Sequence, residues 1–273
     1  MTLIPEIRPG QSLELLKELH ILTRDGKLNQ DTRRKLKQVY HLYQFIEPLL
    51  MASSVEGHEP ILVDHGAGKS YLGFILYDLF FKAQASGQVY GIESRPELVQ
   101  KSQELAKKLS FHKMKFLNET VANSMENPDL PAEVDIVTAL HACDTATDDA
   151  IRFGLKKKAK FMVLVPCCQA EVAATLRKVK GKNLGKPLTE IFRHPLHTRE
   201  FGSHLTNVLR CLELEANGYQ VTVTELIGWE HSMKNELIIA EFKNQSGAHA
   251  RKRLDAILSE FDLTELETRF QQS

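Results

Sequence analysis

The run Ile61-Leu62-Val63-Asp64-His65-Gly66-Ala67-Gly68-Lys69-Ser70-Tyr71-Leu72 constrains this chain more than any other. Ile61 to Val63 is aliphatic and β-branched, which suits a strand buried on both faces. Asp64 closes the strand. Gly66 and Gly68 give a sharp turn that a ligand can approach without meeting a Cβ. From Lys69 the pattern becomes helical, with Leu72, Ile75, Leu76 and Leu79 on one face. A strand, a Gly-x-Gly turn and a helix start together make a nucleotide-type site.

A Gly-x-Gly turn alone is weak evidence, and the surrounding residues narrow it. Val89-Tyr90-Gly91-Ile92 predicts a second strand ending at Glu93, where a carboxylate can accept from two ribose hydroxyls. The third glycine of a dinucleotide fingerprint is replaced by Tyr71. A phosphate-binding loop needs four residues between its glycines, and this turn has one. Asp64 would repel a pyrophosphate but can pair with an ammonium. The combination points to S-adenosylmethionine rather than to NAD or ATP.

The 273 residues allow one large domain with additions, and the formal net charge is zero. No apolar run is long enough to span a bilayer, and the N-terminus does not read as a signal peptide. The four cysteines, two of them adjacent at Cys167 and Cys168, do not form a disulfide pattern. They read as reduced, which predicts a cytoplasmic protein. Charge is unevenly spread: residues 151–200 hold twelve Lys or Arg against three Glu and no Asp.

Taken in order, residues 1–58 predict a helical extension. Leu13, Leu16 and Leu19 to Leu22 form one amphipathic segment. A second helix is capped by Asp31 or Thr32, carries Leu36, Val39, Tyr40, Tyr43, Ile46 and Leu50 on its apolar face, and is open to a kink at Pro48. Arg33, Arg34, Lys35 and Lys37 crowd its start, as a solvated face or as a substrate-facing patch. Residues 59–244 predict five strands alternating with helices, then two strands at Tyr219–Ile227 and Glu236–Phe242 whose short link permits only antiparallel pairing. Gly181 to Arg199 reads as a basic inserted loop, and residues 245–273 predict one terminal helix over Arg251–Phe270. The fold class is α/β, a Rossmann-like seven-stranded sheet with an antiparallel last strand. In such sheets ligands bind beyond the carboxyl ends of the strands, where Asp64, Glu93, His141, Cys143, Pro166 and Cys167 all fall.

Asp64-His65-Gly66-Ala67-Gly68-Lys69, Leu140-His141-Ala142-Cys143 with Ala146-Thr147-Asp148, and Pro166-Cys167-Cys168 resemble one branch of the class I methyltransferases. That branch includes the methyltransferase domain of the glutathione S-transferase C-terminal domain-containing protein. The chain is similar, more distantly, to the tRNA 2′-O-methyltransferases of the acceptor stem. The resemblance covers roughly residues 60–242. Asp144 stands where the family usually has Gly, and Gln169 and Ala170 replace its paired His.

The resemblance implies an S-adenosylmethionine-dependent methyltransferase. Gly66 and Gly68 would cradle the methionine part, Asp64 its ammonium and Glu93 the ribose. Asn118 and Glu119 would meet the adenine, and Tyr71, Leu72, Ser94 and Leu140 complete the set. Three arrangements compete for the residues after the fourth and fifth strands. In the first, His141 or Asp144 orients or deprotonates the acceptor. In the second, Cys143 or Cys167 adds covalently to a base. In the third, His141, Cys143, Cys167 and Cys168 bind zinc, although adjacent cysteines seldom both reach one ion. Simple packing of small buried thiols is the alternative to all three. Lys178, Lys180, Lys182, Lys186 and Arg193, with His231 and Asn235 between the last strands, are the candidate substrate contacts. They predict structured RNA as the partner; a protein or small-molecule acceptor, or a non-catalytic cofactor-binding module, is the alternative.

Overall fold

A computed structural model describes residues 6–55, 57–84, 86–140, 144–166, 169–179, 187–226 and 236–271. The sheet is built from β1 (Ile61–His65), β2 (Gln88–Glu93), β3 (Met114–Asn118), β4 (Ile136–Ala139), β5 (Phe161–Leu164), β6 (Tyr219–Glu225) and β7 (Glu236–Phe242). Their spatial order is β3-β2-β1-β4-β5-β7-β6. The first five strands run parallel, and β7 is antiparallel to both β5 and β6. The chain leaves β1 toward β2 and β3, then returns to lay β4 on the other side of β1. The switch point therefore lies between the carboxyl ends of β1 and β4, where a ligand crevice is expected in such sheets.

The helices are α1 (Leu13–Glu18), α2 (Gln30–Ser53), α3 (Tyr71–Leu76), α4 (Lys82–Gln84), α5 (Pro96–Lys108), α6 (Val121–Ser124), α7 (Thr145–Lys156), α8 (Glu171–Val179), α9 (Pro195–Ala216), α10 (Ala248–Glu260) and α11 (Glu267–Phe270). A π-helical turn, Tyr77–Phe81, joins α3 to α4. Successive strand residues face opposite ways. Leu62, Val89 and Ile136 share a core with α1, α2 and α3. Val63, Tyr90 and Val137 face the other side, with Ile151 and Phe153 of α7. A third core joins α8, α9, α10 and α11.

Three local expectations are corrected. Asn29, not Asp31 or Thr32, caps α2: its side chain accepts from the Thr32 amide at 2.9 Å, and Thr32 Oγ1 accepts from the Asn29 amide at 2.9 Å. This reciprocal pair satisfies two donors at once, and α2 then runs on through Pro48. The basic stretch expected as a loop up to Arg199 instead enters α9 at Pro195. His194 is extended (φ −116°, ψ 131°) and proline suits the first helical position. The terminal helix breaks after Glu260, and Asp262 takes φ 54°. The turn lets Leu263, Leu266 and Phe270 fold back onto the third core, which one continuous helix would not allow.

Candidate active site

A cavity of about 880 Å³ opens at the carboxyl ends of β1, β2 and β4. Its floor is the glycine turn. Gly66 and Gly68 have φ 62° and 57°, the left-handed region that a side chain disfavours. The Ala67 amide donates to the Ile92 carbonyl at 3.0 Å, tying the turn to β2. The Gly68 amide donates to Glu93 Oε2 at 2.8 Å. The Arg95 amide and Nε donate to Glu93 Oε1 at 3.0 and 2.9 Å. Burial pushes the Glu93 carboxyl up, but the Arg95 guanidinium and the Arg95 and Gly68 amides outweigh it and hold it below its ordinary value. Glu93 is thus ionised, and its position is fixed by the turn it faces.

Asp64 sits deeper, beside the switch point. It pairs in register with Thr138 of β4, whose hydroxyl donates to Asp64 Oδ1 at 2.7 Å. Burial pushes its carboxyl up to about 7, against the smaller opposing effect of that hydrogen bond. His65, the next residue, points to the opposite face of the sheet, as strand alternation requires. It is fully buried, edge-on to Phe153 at 4.4 Å, and burial lowers its ring pKa to about 3. It is a neutral core residue.

Tyr71, Leu72, Ser94, Glu119 and Leu140 join Asp64, Gly66, Gly68 and Glu93 around the cavity. Glu119 accepts from Asn127 at 2.8 Å on one oxygen, while its buried Oε2 has no protein partner. Asn118 departs from the expectation. Its amide donates to the Glu93 and Ser94 carbonyls at 3.1 and 2.9 Å, bracing the end of β2 instead of lining the cavity. Asp144 departs too. Its carboxylate accepts from the Ala170 amide at 3.1 Å, at the start of α8, and its carbonyl accepts from Arg210 Nη2 at 2.9 Å. Its φ of 51° and ψ of −121° belong to a region that favours glycine, and holding a side chain there costs about 1–3 kcal/mol. This explains in backbone terms why glycine suits the position.

His141, Cys143, Cys167, Cys168, Lys180, Lys182, Lys186, His231 and Asn235 lie outside the described residues. Lys178 is exposed, 3.9 Å from Glu265, and Arg193 pairs with Glu190 at 3.3 Å; neither lines the cavity. Other cations of the basic stretch lie elsewhere. Lys156 pairs with Glu126 and Lys158 with Glu133. Lys160 donates to the Ala52 carbonyl. These three flank the amino end of β5, the sheet edge opposite the cavity. Among the described residues no group of three or more His, Cys, Asp or Glu is placed to hold a metal. No described helix is long and apolar enough to cross a membrane. Burial pushes the Cys211 thiol up to about 12, which makes it a poor nucleophile.

Two walls of the cavity were not read from the sequence, apart from Lys35, whose basic cluster suits either a solvated face or a substrate-facing patch. Lys35, Gln38, Val39 and Leu42 of α2 line it from above, at the i, i+3, i+4, i+7 spacing of one helix face. Ala146 and Asp149 of α7 line it from the β4 side. Interruption of the α2 apolar stripe by Lys35 and Gln38 was the available signal.

Behind that side, Glu213 is 1% exposed, and its pKa is pushed up to about 8, chiefly by burial and then by Asp148, against Arg152, Arg210 and Arg251. A raised carboxyl pKa means that stability is complete below the ordinary value, declines as pH rises, and levels off beyond about 8. Glu213→Gln is therefore expected to match the wild type near pH 5 and to exceed it in thermal stability at pH 8.5. An equal gap at both pH values would contradict this assignment.

A family model described as a methyltransferase domain matches residues 34–175, just over half of the chain. The chain is also similar to the glutathione S-transferase C-terminal domain-containing protein homolog of Drosophila melanogaster. That match is 27% identical over 139 aligned positions, covering 41% of this chain and 23% of the relative, so it spans under a quarter of that protein's length. Among solved structures, magnesium protoporphyrin IX methyltransferase from Synechocystis PCC 6803 is 15% identical with a TM-score of 0.48, covering 84% of this chain and 93% of that one. Podospora anserina PaMTH1 is 11% identical, also at 0.48, covering 87% and 89%. With the mixed seven-stranded sheet, the switch-point cavity and the glycine turn bonded to Glu93, the family match is decisive: the chain belongs to the methyltransferase-domain family, the S-adenosylmethionine-dependent class I methyltransferases.

Proposed function

We propose that this protein transfers the methyl group of S-adenosylmethionine to structured RNA. The carrying observation is how charge is layered around the cavity. Asp64 and Glu93 are 3% and 7% exposed on its floor, while Lys35, 4.0 Å from Asp31, and Arg95, bonded to Glu93, line it with side chains 53% and 59% exposed. Floor carboxylates suit a cofactor with an ammonium and a ribose, and exposed cations suit an acceptor bearing phosphates. The residues present fit that cofactor: Gly66 and Gly68 line the cavity without a Cβ, and Glu119 Oε2 is a buried acceptor with no protein partner. Asp64 would face the ammonium, Glu93 the ribose hydroxyls and Glu119 the adenine amino group. The bound cofactor supplies an electrophilic methyl on a sulfonium. The chain's own contribution is to hold both reactants in line and to exclude water, and such positioning supplies much of the rate of a displacement. Asp149, half-buried and with its pKa raised by burial, is the described carboxylate on the α7 wall.

The RNA reading predicts salt-sensitive binding of cellular RNA that weakens when Lys35, Lys178, Lys180 and Lys182 become Glu. Unchanged affinity would remove RNA and favour the alternative, a protein or small-molecule acceptor. The local pairing of Arg193 and the distance of Lys156, Lys158 and Lys160 from the cavity speak for that alternative.

The cofactor reading carries a pH signature. An ammonium binds the ionised form of Asp64, whose pKa without ligand is about 7. S-adenosylhomocysteine affinity is expected to rise from pH 6 toward 8 and then flatten, and Asp64→Asn is expected to bind more weakly with no such rise. Calorimetric titration at three pH values checks it; the same slope in both proteins would place the titrating group elsewhere.

A further inference from the structure

We propose that one polar face of α9 positions the acceptor side of the active site. The inference rests on the methyltransferase reading and extends it to residues that touch neither cavity nor cofactor. Ser203, Asn207 and Arg210 recur at helical spacing on one polar face, yet Asn207 and Arg210 are 5% and 1% exposed. Each reaches the root of a different chain segment. Arg210 Nη2 donates to the Asp144 carbonyl at 2.9 Å, at the root of the segment after β4. Gln169, after β5, donates to Asn207 Oδ1 at 2.6 Å and accepts from the Ser203 hydroxyl. Asn207 Nδ2 donates to Glu236 Oε2 at 2.9 Å, where β7 begins. Arg210 Nη1 closes the circuit on Asn207 Oδ1 at 3.3 Å. Asp148 holds the guanidinium from α7 through bonds of 2.6 and 3.0 Å, and the Ala170 amide links Asp144 back to the β5 side.

The three roots Asp144, Gln169 and Glu236 leave the sheet edge that carries ligands in this fold class. They have no sequence proximity, and one helix face joins them all. A buried ion pair contributes little net stability compared with apolar packing, and the proposed role of this one is to specify a single arrangement of the three segments. Two features fit that role. Asp144 is kept in a glycine-like conformation by bonds to both its carbonyl and its carboxylate. Gly202 lets α9 approach α8 so closely that a Cβ there would lie 2.7 Å from the Ala173 Cα. Arg210 and Asn207 are thus positioning residues.

Hydrogen exchange of the full chain with Asn207→Ala and with Arg210→Lys tests this without needing an acceptor. Amides in the peptides holding Asp144, Gln169–Ala170 and Glu236 are expected to lose protection together, at least tenfold, while peptides over β1 and β2 stay unchanged. Loss confined to the peptide nearest each substitution, or spread evenly over the chain, would overturn the proposal. Binding of S-adenosylhomocysteine should stay within twofold of wild type. If the wild type fails to bind it, the methyltransferase reading falls while the exchange result still decides the α9 circuit. Where the wild type transfers tritiated methyl into cell extract, the variants should lose at least tenfold in kcat with KM for the cofactor unchanged. Adding Asp144→Gly should restore part of the Arg210→Lys loss; a rise in KM alone, or no rescue, counts against the inference.

Discussion

Asp148→Ala is expected to lower stability by about 3–5 kcal/mol, because it leaves a buried guanidinium without its counter-ion. Arg210 is among the largest fully buried side chains of the described residues and is 1% exposed; Asp148 is 4% exposed. Their two bonds, 2.6 and 3.0 Å, form the planar fork that suits arginine and carboxylate. Asn207 and the Asp144 carbonyl remain as neutral acceptors but do not neutralise charge. For a chain of this size the loss corresponds to roughly 6–20 °C in melting temperature. Urea denaturation of the variant checks it. A change under about 1 kcal/mol would mean that water reaches the guanidinium once the carboxylate is gone. Replacing both residues together with Leu and Met is expected to cost less than Asp148→Ala alone, since no charge is stranded.

Glu93→Ala is expected to weaken S-adenosylhomocysteine binding about 100-fold. Two charge-assisted hydrogen bonds to a ribose contribute about 1.5 kcal/mol each at the lower end, and 1.4 kcal/mol is a factor of ten. Glu93 also organises the turn by accepting from the Gly68 amide. Arg95→Ala separates the two roles: it removes the exposed partner and leaves both the carboxylate and the Gly68 bond, so affinity is expected to change less than tenfold. Calorimetry on both variants decides. Equal losses would show that Glu93 acts only through Arg95, and no loss in Glu93→Ala would remove it from the cofactor site.

The parts of this molecule that were legible in sequence are those governed by local periodicity. Alternation of strands with helices predicted a parallel sheet, and the short link between the expected strands Tyr219–Ile227 and Glu236–Phe242 predicted the antiparallel pair, observed as Tyr219–Glu225 and Glu236–Phe242. The glycine turn and Glu93 announced themselves because their chemistry requires particular residue types at strand ends. What escaped was set by tertiary contact. Nothing local says that the Lys35–Leu42 face of α2 turns toward Gly68, nor that Arg210 is buried rather than solvated, although 62 residues separate it from Asp148. The Asn118 side chain could serve either adenine or backbone from sequence alone, and two carbonyls within 3.1 Å decide for backbone. Local charge counting also misled: Lys156, Lys158 and Lys160 are close to the acceptor segments in sequence and on the opposite sheet edge in space.

The placement of Asp64 beside Thr138 has a consequence for how the molecule comes into being. These residues touch across β1 and β4 yet are 74 positions apart in the chain. During synthesis the glycine turn is made long before the strand that completes its crevice, and β2 and β3 must pair on the other flank in between. Contacts of such separation slow folding more than they weaken the product. Meanwhile the apolar stripe of α2, with Leu36, Leu42, Ile46 and Leu50, waits without the core that buries it. The methyl-donor crevice is therefore complete only once β4 has paired with β1, and the core that covers α2 only once Phe161, Val163, Leu226 and Leu237 have joined it.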